Sequence, residues 1–324
     1  MAIIKKSTKN FWKMQEEGAW GIQKVLNMIH GYMLLTLYDH YVTAALVLIR
    51  FVGKFPKFIY KAIAIDFFAN RYHCKVLTYE NTKKLVSLEE SVTLPTEESK
   101  KIIPWEIANK LIFNHRNHLA IVDCPCRLEK KTAGKKYCEP IHTCIFMGKT
   151  SVDFVTSHMP RMHGERATKE QILELLKEQH LRGMVFTIWF KDATGYRGGV
   201  LCSCCSCCCA GMEVELLSRR KGIEGLKLTA PSGYSSEVDR TKCTVCGICA
   251  QICPYQARQV ILLDGKKKLI DSIELCMGCG VCVDRCQSNA ISLKVDPSKG
   301  EIFDVDLIVK RATKQSPVNI GQAC

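Results

Sequence analysis

The chain has 324 residues, 47% of them hydrophobic and 24% charged, which excludes both a disordered polymer and a wholly membrane-embedded one. It carries 20 cysteines and a formal net charge of +14. Cysteine at that density means disulfides or metal. The first thirty residues lack the compact apolar core and small-residue cleavage site of an export signal, so reduced thiols and bound metal are expected.

Residues 19–70 are long apolar stretches with little turn chemistry. The strongest run, Tyr41 to Val52, contains Arg50 and is preceded by Asp39 and His40. A spanning helix wants about 20 mainly apolar residues, and an ionised Asp near its middle is costly, so a transmembrane span is not the expectation. Arg50, Lys54, Lys57 and Lys61 follow a four-three-four spacing that puts them on one helical face, with Phe51, Phe55, Phe58 and Ile59 between them. Pro56 is expected to kink or split that helix. A basic stripe on an aromatic body predicts a helix lying on an anionic membrane surface. Docking on a partner subunit and packing against the rest of the chain are the alternatives.

Residues 75–110 read as a connection with a short strand and helix, punctuated at Thr93-Leu94-Pro95-Thr96, with a helix start at Pro104-Trp105-Glu106. Ile112-Phe113 and Leu119–Val122 are short apolar runs expected as strands, the second leading into Cys124-Pro125-Cys126-Arg127. Cys138 and Cys144 follow, with His142 between them. Thr168 and Gln171 have capping-box spacing ahead of Ile172, Leu173, Leu175 and Leu176, and Met184–Phe190 reads as a strand. Gly195, Gly198 and Gly199 would let the backbone turn toward the crowded Cys202, Cys204, Cys205, Cys207, Cys208 and Cys209.

Adjacent cysteines project in different directions, so this crowded segment suits two sites on opposite sides of a turn. Cys124, Cys126, Cys138 and Cys144 either complete one site alone or contribute to both. Together these motifs resemble an uncharacterised class of anaerobic 4Fe-4S-binding proteins that pair a CPCR segment, a threonine-capped helix and a later CxCCxCCC cluster. The match covers residues 119–210, and the resemblance brings a class but no reaction. The ten cysteines are expected to hold one or two additional iron–sulfur clusters, with zinc or structural thiols as alternatives. Arg127, His142 and Arg166 are candidate donors to cluster sulfur, or else ordinary surface groups. His158 and His163 sit in a loop-like segment and form no HExxH, so a zinc hydrolase is not expected.

Downstream the chain writes one motif twice: Cys243, Cys246, Cys249 and Cys253, then Cys276, Cys279, Cys282 and Cys286, each as CxxCxxCxxxC. Residues 236–295 resemble the two-cluster bacterial-type ferredoxins. The resemblance implies two [4Fe-4S] clusters with crossed ligation: Cys243, Cys246 and Cys249 with Cys286, and Cys276, Cys279 and Cys282 with Cys253. Gly247 and Gly280 suit sharp turns inside the loops; Pro254 follows the first motif, but Gln287 stands in its place after the second. The run Val260–Ile270 reads as a hairpin turning at Asp264-Gly265. A cube of about +2 on four thiolates adds about −2, so two clusters bring the charge to roughly +10 and four to roughly +6. That excess does not call for nucleic acid.

The fold expected is α+β: a helical N-terminal region (1–75), a cysteine-rich α+β middle domain (76–235) and a dicluster ferredoxin-like domain with a C-terminal extension (236–324). The function expected is electron transfer with a redox partner protein or larger complex, in the cytoplasm, peripheral on the membrane face. The alternative is a reductase with a substrate-binding or disulfide-reducing cluster among Cys124–Cys209.

Overall fold

The computed structural model describes residues 4–16, 21–62, 72–88, 92–94, 96–102, 111–113, 118–191, 198–223 and 228–315. The helix start expected at Pro104 and the turn at Gly195 lie outside the described residues. Four helices open the chain: α1 (Lys6–Glu16), α2 (Gly21–Thr36), α3 (Tyr38–Val52) and α4 (Lys57–Tyr60). Next come β1 (Tyr72–Leu77), α5 (Tyr79–Val86), β2 (Val92–Leu94), α6 (Thr96–Ile102) and β3 (Leu111–Phe113). The middle contains β4 (Leu119–Asp123), α7 (Pro125–Thr132), β5 (His142–Met147), α8 (Lys149–His158), β6 (Glu165–Ala167) and α9 (Lys169–Leu181). It continues with β7 (Val185–Lys191), β8 (Gly198–Cys204), α10 (Ala210–Arg220) and β9 (Thr229–Ala230). The last elements are β10 (Tyr234–Val238), α11 (Ile248–Gln251), β11 (Arg258–Leu263), β12 (Lys266–Asp271), α12 (Val281–Asp284), β13 (Ile291–Val295) and α13 (Val305–Gln315).

Seven strands form one sheet in the order β6-β4-β5-β8-β7-β1-β9, antiparallel throughout except for β1 with β9. The two-residue period of a strand sorts its side chains between two apolar layers. Leu119, Ile121, Ile145, Met147 and Leu201 face a layer built with Leu85 of α5, Ile172 and Leu176 of α9 and Ile308 of α13. Ala120, Val122, Cys144, Phe146 and Val200 face the other, built with Phe11, Leu34, Leu35, Tyr38 and Phe154. The Phe11 and Phe154 rings stand 4.4 Å apart and both are fully buried, which stabilises by about 1.5–3 kcal/mol for each ring. Helix α9 starts at the expected capping box, with Thr168 and Gln171 reciprocating.

The N-terminal helices are therefore one wall of the body, which corrects the basic-stripe reading. Helix α3 stops at Val52, and α4 restarts only after Pro56, whose extended backbone and missing N–H end the ladder. Arg50 does not join Lys54, Lys57 and Lys61 on an outer face. It turns inward and pairs with Glu129 of α7 at 2.7 Å and Glu213 of α10 at 2.6 Å. The boundary drawn at residue 75 falls within β1, and α13, expected as a mere extension, returns to the core through Val305 and Ile308. Helix α2 still presents Ile22, Val25, Leu26, Ile29 and Met33 to the outside, and α3 presents Val47, Leu48 and Phe51. Among the described residues no single helix is long and apolar enough to cross a membrane; α2 and α3 meet at a bend of 101°.

Candidate metal centres

The C-terminal cysteines sit in two loops of the same design. Gly247 and Gly280 both adopt φ +83°, each opening a four-residue helix, α11 and α12. A side chain would strain that left-handed backbone, so the shared Gly is structural in both halves. Four residues after the last thiol of each motif, a backbone amide donates to that sulfur: Ala257 to Cys253 at 3.3 Å and Ala290 to Cys286 at 3.3 Å. Burial pushes the Cys279 thiol up, and Cys253 and Cys279 pack against the same apolar cluster. The expected hairpin of β11 and β12 is present, with Asp264 and Gly265 both at positive φ as a type I′ turn requires.

One feature breaks the symmetry of the two halves. Arg258, buried at 5% exposure, donates from Nη1 to Cys282 Sγ at 3.0 Å and from Nη2 to the Ser236 carbonyl at 3.0 Å. Its Nε meets Asp271 at 2.8 Å. The equivalent place in the second repeat is Ile291, so the asymmetry was readable in the sequence, although its contact with a cluster sulfur was not. Eight thiols, sulfur-directed amides and a buried cation beside one sulfur are the donor chemistry that iron–sulfur cubes need.

A 4Fe-4S dicluster domain family model matches residues 235–287. An uncharacterized ferredoxin of Methanocaldococcus jannaschii is 38% identical over 58 residues, which are 18% of this chain and 75% of the relative. Through this segment the chain belongs to the dicluster ferredoxins. No solved structure matches it. The ferredoxin module accordingly carries two [4Fe-4S] clusters, which supply one-electron reduction and oxidation.

Upstream of the ferredoxin module, the ten remaining candidate cysteines divide into two sets. Cys124, Cys126, Cys144, Cys202, Cys204 and Cys209 line a cavity of about 140 Å³ between α2, α3 and the second sheet face, whose wall Cys205 and Cys208 of the other set also reach. Strand alternation aims Cys144, Cys202 and Cys204 at that face, and Cys144 and Cys202 stand 3.9 Å apart. Cys124 is the N-cap of α7, with Pro125 in its first turn, and Cys209 is the N-cap of α10. The first amide of α10, from Ala210, donates to Cys126 Sγ at 3.5 Å. Two helix N-termini thus converge on the chamber, where their partial positive charge favours thiolates. The hydrogen bond from Cys126 leads in drawing the Cys124 thiol down to about 7, against its burial.

The second set is Cys138, Cys205, Cys207 and Cys208, at the outer end of the β8–α10 turn. Cys138 Sγ lies 3.1 Å from Cys207 and 3.6 Å from Cys205, and Cys205 lies 3.0 Å from Cys207. Hydrogen bonding from Cys208 leads in holding the Cys205 thiol at about 5. The crowded segment therefore does split across a turn, and the first four cysteines contribute to both sides: three to the chamber, Cys138 to the outer set.

The other candidates fare unequally. Arg127 is buried and binds the Gln179 side chain and the Ser203 carbonyl, both at 3.1 Å, and also the Pro140 carbonyl. It ties the cysteine-bearing segments together. Arg166 is exposed on β6 and pairs with Asp153, as the ordinary-surface-group alternative has it. His142 and His163 flank Asp123, at 2.8 and 2.7 Å, and His158, expected in a loop, ends α8 beside Ser7 and Thr8.

Several residues around the chamber escape sequence reasoning. Burial pushes Glu213 up, but hydrogen bonds from Arg50 and Lys130 outweigh it and hold the carboxylate at about 2. Gly211 lets α10 lie against Trp189, since an added Cβ would stand 2.7 Å from the ring. Tyr255 is the joint between the ferredoxin module and the chamber. It is buried in one apolar cluster with Cys204, Cys209 and Val281, against which Cys253 and Cys279 also pack. Its hydroxyl has no hydrogen-bond partner among the described residues, and burial followed by charge on Cys279 pushes its pKa up.

Proposed function

We propose that the protein passes electrons between a redox partner at its ferredoxin module and an iron–sulfur centre held in the six-thiol chamber. The observation that carries this reading is the Tyr255 joint, where thiols of the ferredoxin module and thiols of the chamber share one dry apolar cluster. A cavity of about 140 Å³ has room for a multi-atom group, comparable with the roughly 150 Å³ that accepts a benzene-sized guest. The chamber's own residues do the rest: helix N-termini stabilise the thiolates, Arg127 fixes the loop behind them, and α2 and α3 keep water out.

The test is iron counting and EPR on anaerobically purified full-length protein. The ferredoxin module accounts for about 8 irons, and a chamber cube adds about 4. Changing Cys144 and Cys202 together to Ala should remove the added iron and leave the ferredoxin signals. A chain that holds only about 8 irons with all chamber thiols intact would reject the reading.

The thiol count favours a second reading in which the chamber works as a reductase site. Eight thiols line it, six of them outside the Cys138 set, where a cube takes four, so room is left for a substrate approaching past Tyr38 and Tyr41. A chamber EPR signal that changes on adding a small thiol or cyanide would favour catalysis, and an indifferent one a pure electron carrier.

The same proposal puts the molecule on the cytoplasmic membrane face. The outer apolar residues of α2 and α3 continue into Phe55 and Phe58, and Lys54, Lys57 and Lys61 are exposed beside them. Each lysine near an anionic surface is worth about 1 kcal/mol, so neutralising all three to Gln should weaken binding to phosphatidylserine vesicles by roughly 100-fold. Equal binding by wild type and variant would remove the lipid claim and leave the electron-transfer claim intact.

A further inference from the structure

The structure assigns to Cys138, Cys205, Cys207 and Cys208 a single tetrahedral zinc ion, a centre of a different kind from those in the ferredoxin module and the chamber. Four thiolates on one zinc, each about 2.3 Å from the metal, stand about 3.8 Å from one another. Here the four ligand atoms all lie within 4.8 Å of one another, with Cys207 at 3.1 Å from Cys138, 3.0 Å from Cys205 and 3.6 Å from Cys208. A cube puts each thiolate on a different iron and outside its corner, so its four sulfurs must stand farther apart than those around one ion. The ferredoxin module gives the internal control. None of its eight thiols belongs to a set of three or more within 4.8 Å; among the described residues the Cys138 set is alone in that.

Its donors also suit a closed structural site. All four are thiols, the soft ligand set of structural zinc, and the Cys138 amide donates to Cys208 Sγ at 3.3 Å. Binding replaces four S–H protons by four zinc–sulfur bonds, with no change of oxidation state. The ion would clamp the loop bearing Cys138 onto the β8–α10 turn, whose neighbours Cys204 and Cys209 form the chamber wall. This inference does not depend on the proposed electron path, because its evidence is the sulfur spacing alone.

The experiment uses the full chain purified anaerobically, with metal analysis and zinc-edge X-ray absorption. The expected result is about one zinc per chain, four sulfurs at about 2.3 Å and no metal neighbour. Cys207 is the exposed member of the set, so Cys207→Ser should lose zinc to a chelator at least tenfold faster while iron content stays unchanged. Cys207→His should retain zinc in a three-sulfur, one-nitrogen shell, which separates ligand loss from misfolding. Absence of zinc from the wild type, whether the thiols are free, oxidised or occupied by iron, overturns the assignment. So does a fall of about 4 irons per chain in Cys207→Ser.

Discussion

The ferredoxin module and the upstream body gather their cysteine thiols by opposite routes. In the module the thiols are written into the local chain: each CxxCxxC loop closes on itself around a Gly at φ +83°, and the crossed ligation that the ferredoxin resemblance implies would take only the fourth thiol from the other half. In the chamber of the upstream body, no short segment gathers the thiols. The chamber draws on the β4–α7 junction, on β5, on β8 and on the N-cap of α10. Neighbours in sequence part company there: Cys204 and Cys209 join the apolar cluster at the chamber wall, and Cys205 and Cys208 gather with Cys138 and Cys207. A local motif tolerates a changed surrounding; a site assembled from distant elements depends on every contact that holds those elements together.

The largest expected effect tests the one long-range feature of the local design. Cys253→Ser should lose about 4 of the 8 ferredoxin irons and leave the same residual EPR signal as Cys276→Ser. If its residual signal instead matches that of Cys243→Ser, the crossing is absent and the two halves are independent loops.

A smaller effect should strike only the body. Arg50→Met leaves Glu129, with 2% side-chain exposure, without its bidentate partner, a change of about 3–5 kcal/mol for a buried pair. Chamber thiols should become accessible to alkylation at lower denaturant while the ferredoxin spectra persist. The pH dependence follows from the depressed Glu213 carboxylate. Its stabilising contribution is fully present above the ordinary Glu value of about 4.3 and is lost as pH falls toward 2. In Arg50→Met that acid resistance should shrink, with chamber opening beginning at higher pH. Simultaneous loss of the ferredoxin clusters would show that the two regions are less separable than their construction implies.

The smallest effect lies within the module. Arg258→Leu removes a charged donor from Cys282 Sγ, worth about 1.5–3 kcal/mol, or on the order of 60–130 mV for one electron. One of the two clusters should move to lower potential in a redox titration, since the positive charge favours the added electron. A shift shared equally by both clusters would mean that Arg258 acts through the whole module rather than through one sulfur.

The sequence by itself determined the features whose geometry is set within a few residues. The paired cysteine motifs, the Asp264-Gly265 hairpin, the Thr168–Gln171 cap and the break at Pro56 all depend on local dihedrals and nearest hydrogen bonds, and each is readable without knowing the rest of the chain. Tertiary structure decided the rest. The spacing of Arg50 with Lys54 and Lys57 fits a helix face, but only the arrival of Glu129 and Glu213 from α7 and α10 turns that arginine inward. Cys138 and Cys144 are close in sequence and go to different sites, because a strand fixes Cys144 against the sheet while the loop carries Cys138 to the outer turn. Tyr255 becomes the joint between the ferredoxin module and the chamber for the same reason: which thiols come to surround a side chain is set by the packing of distant elements, and residue spacing does not encode it.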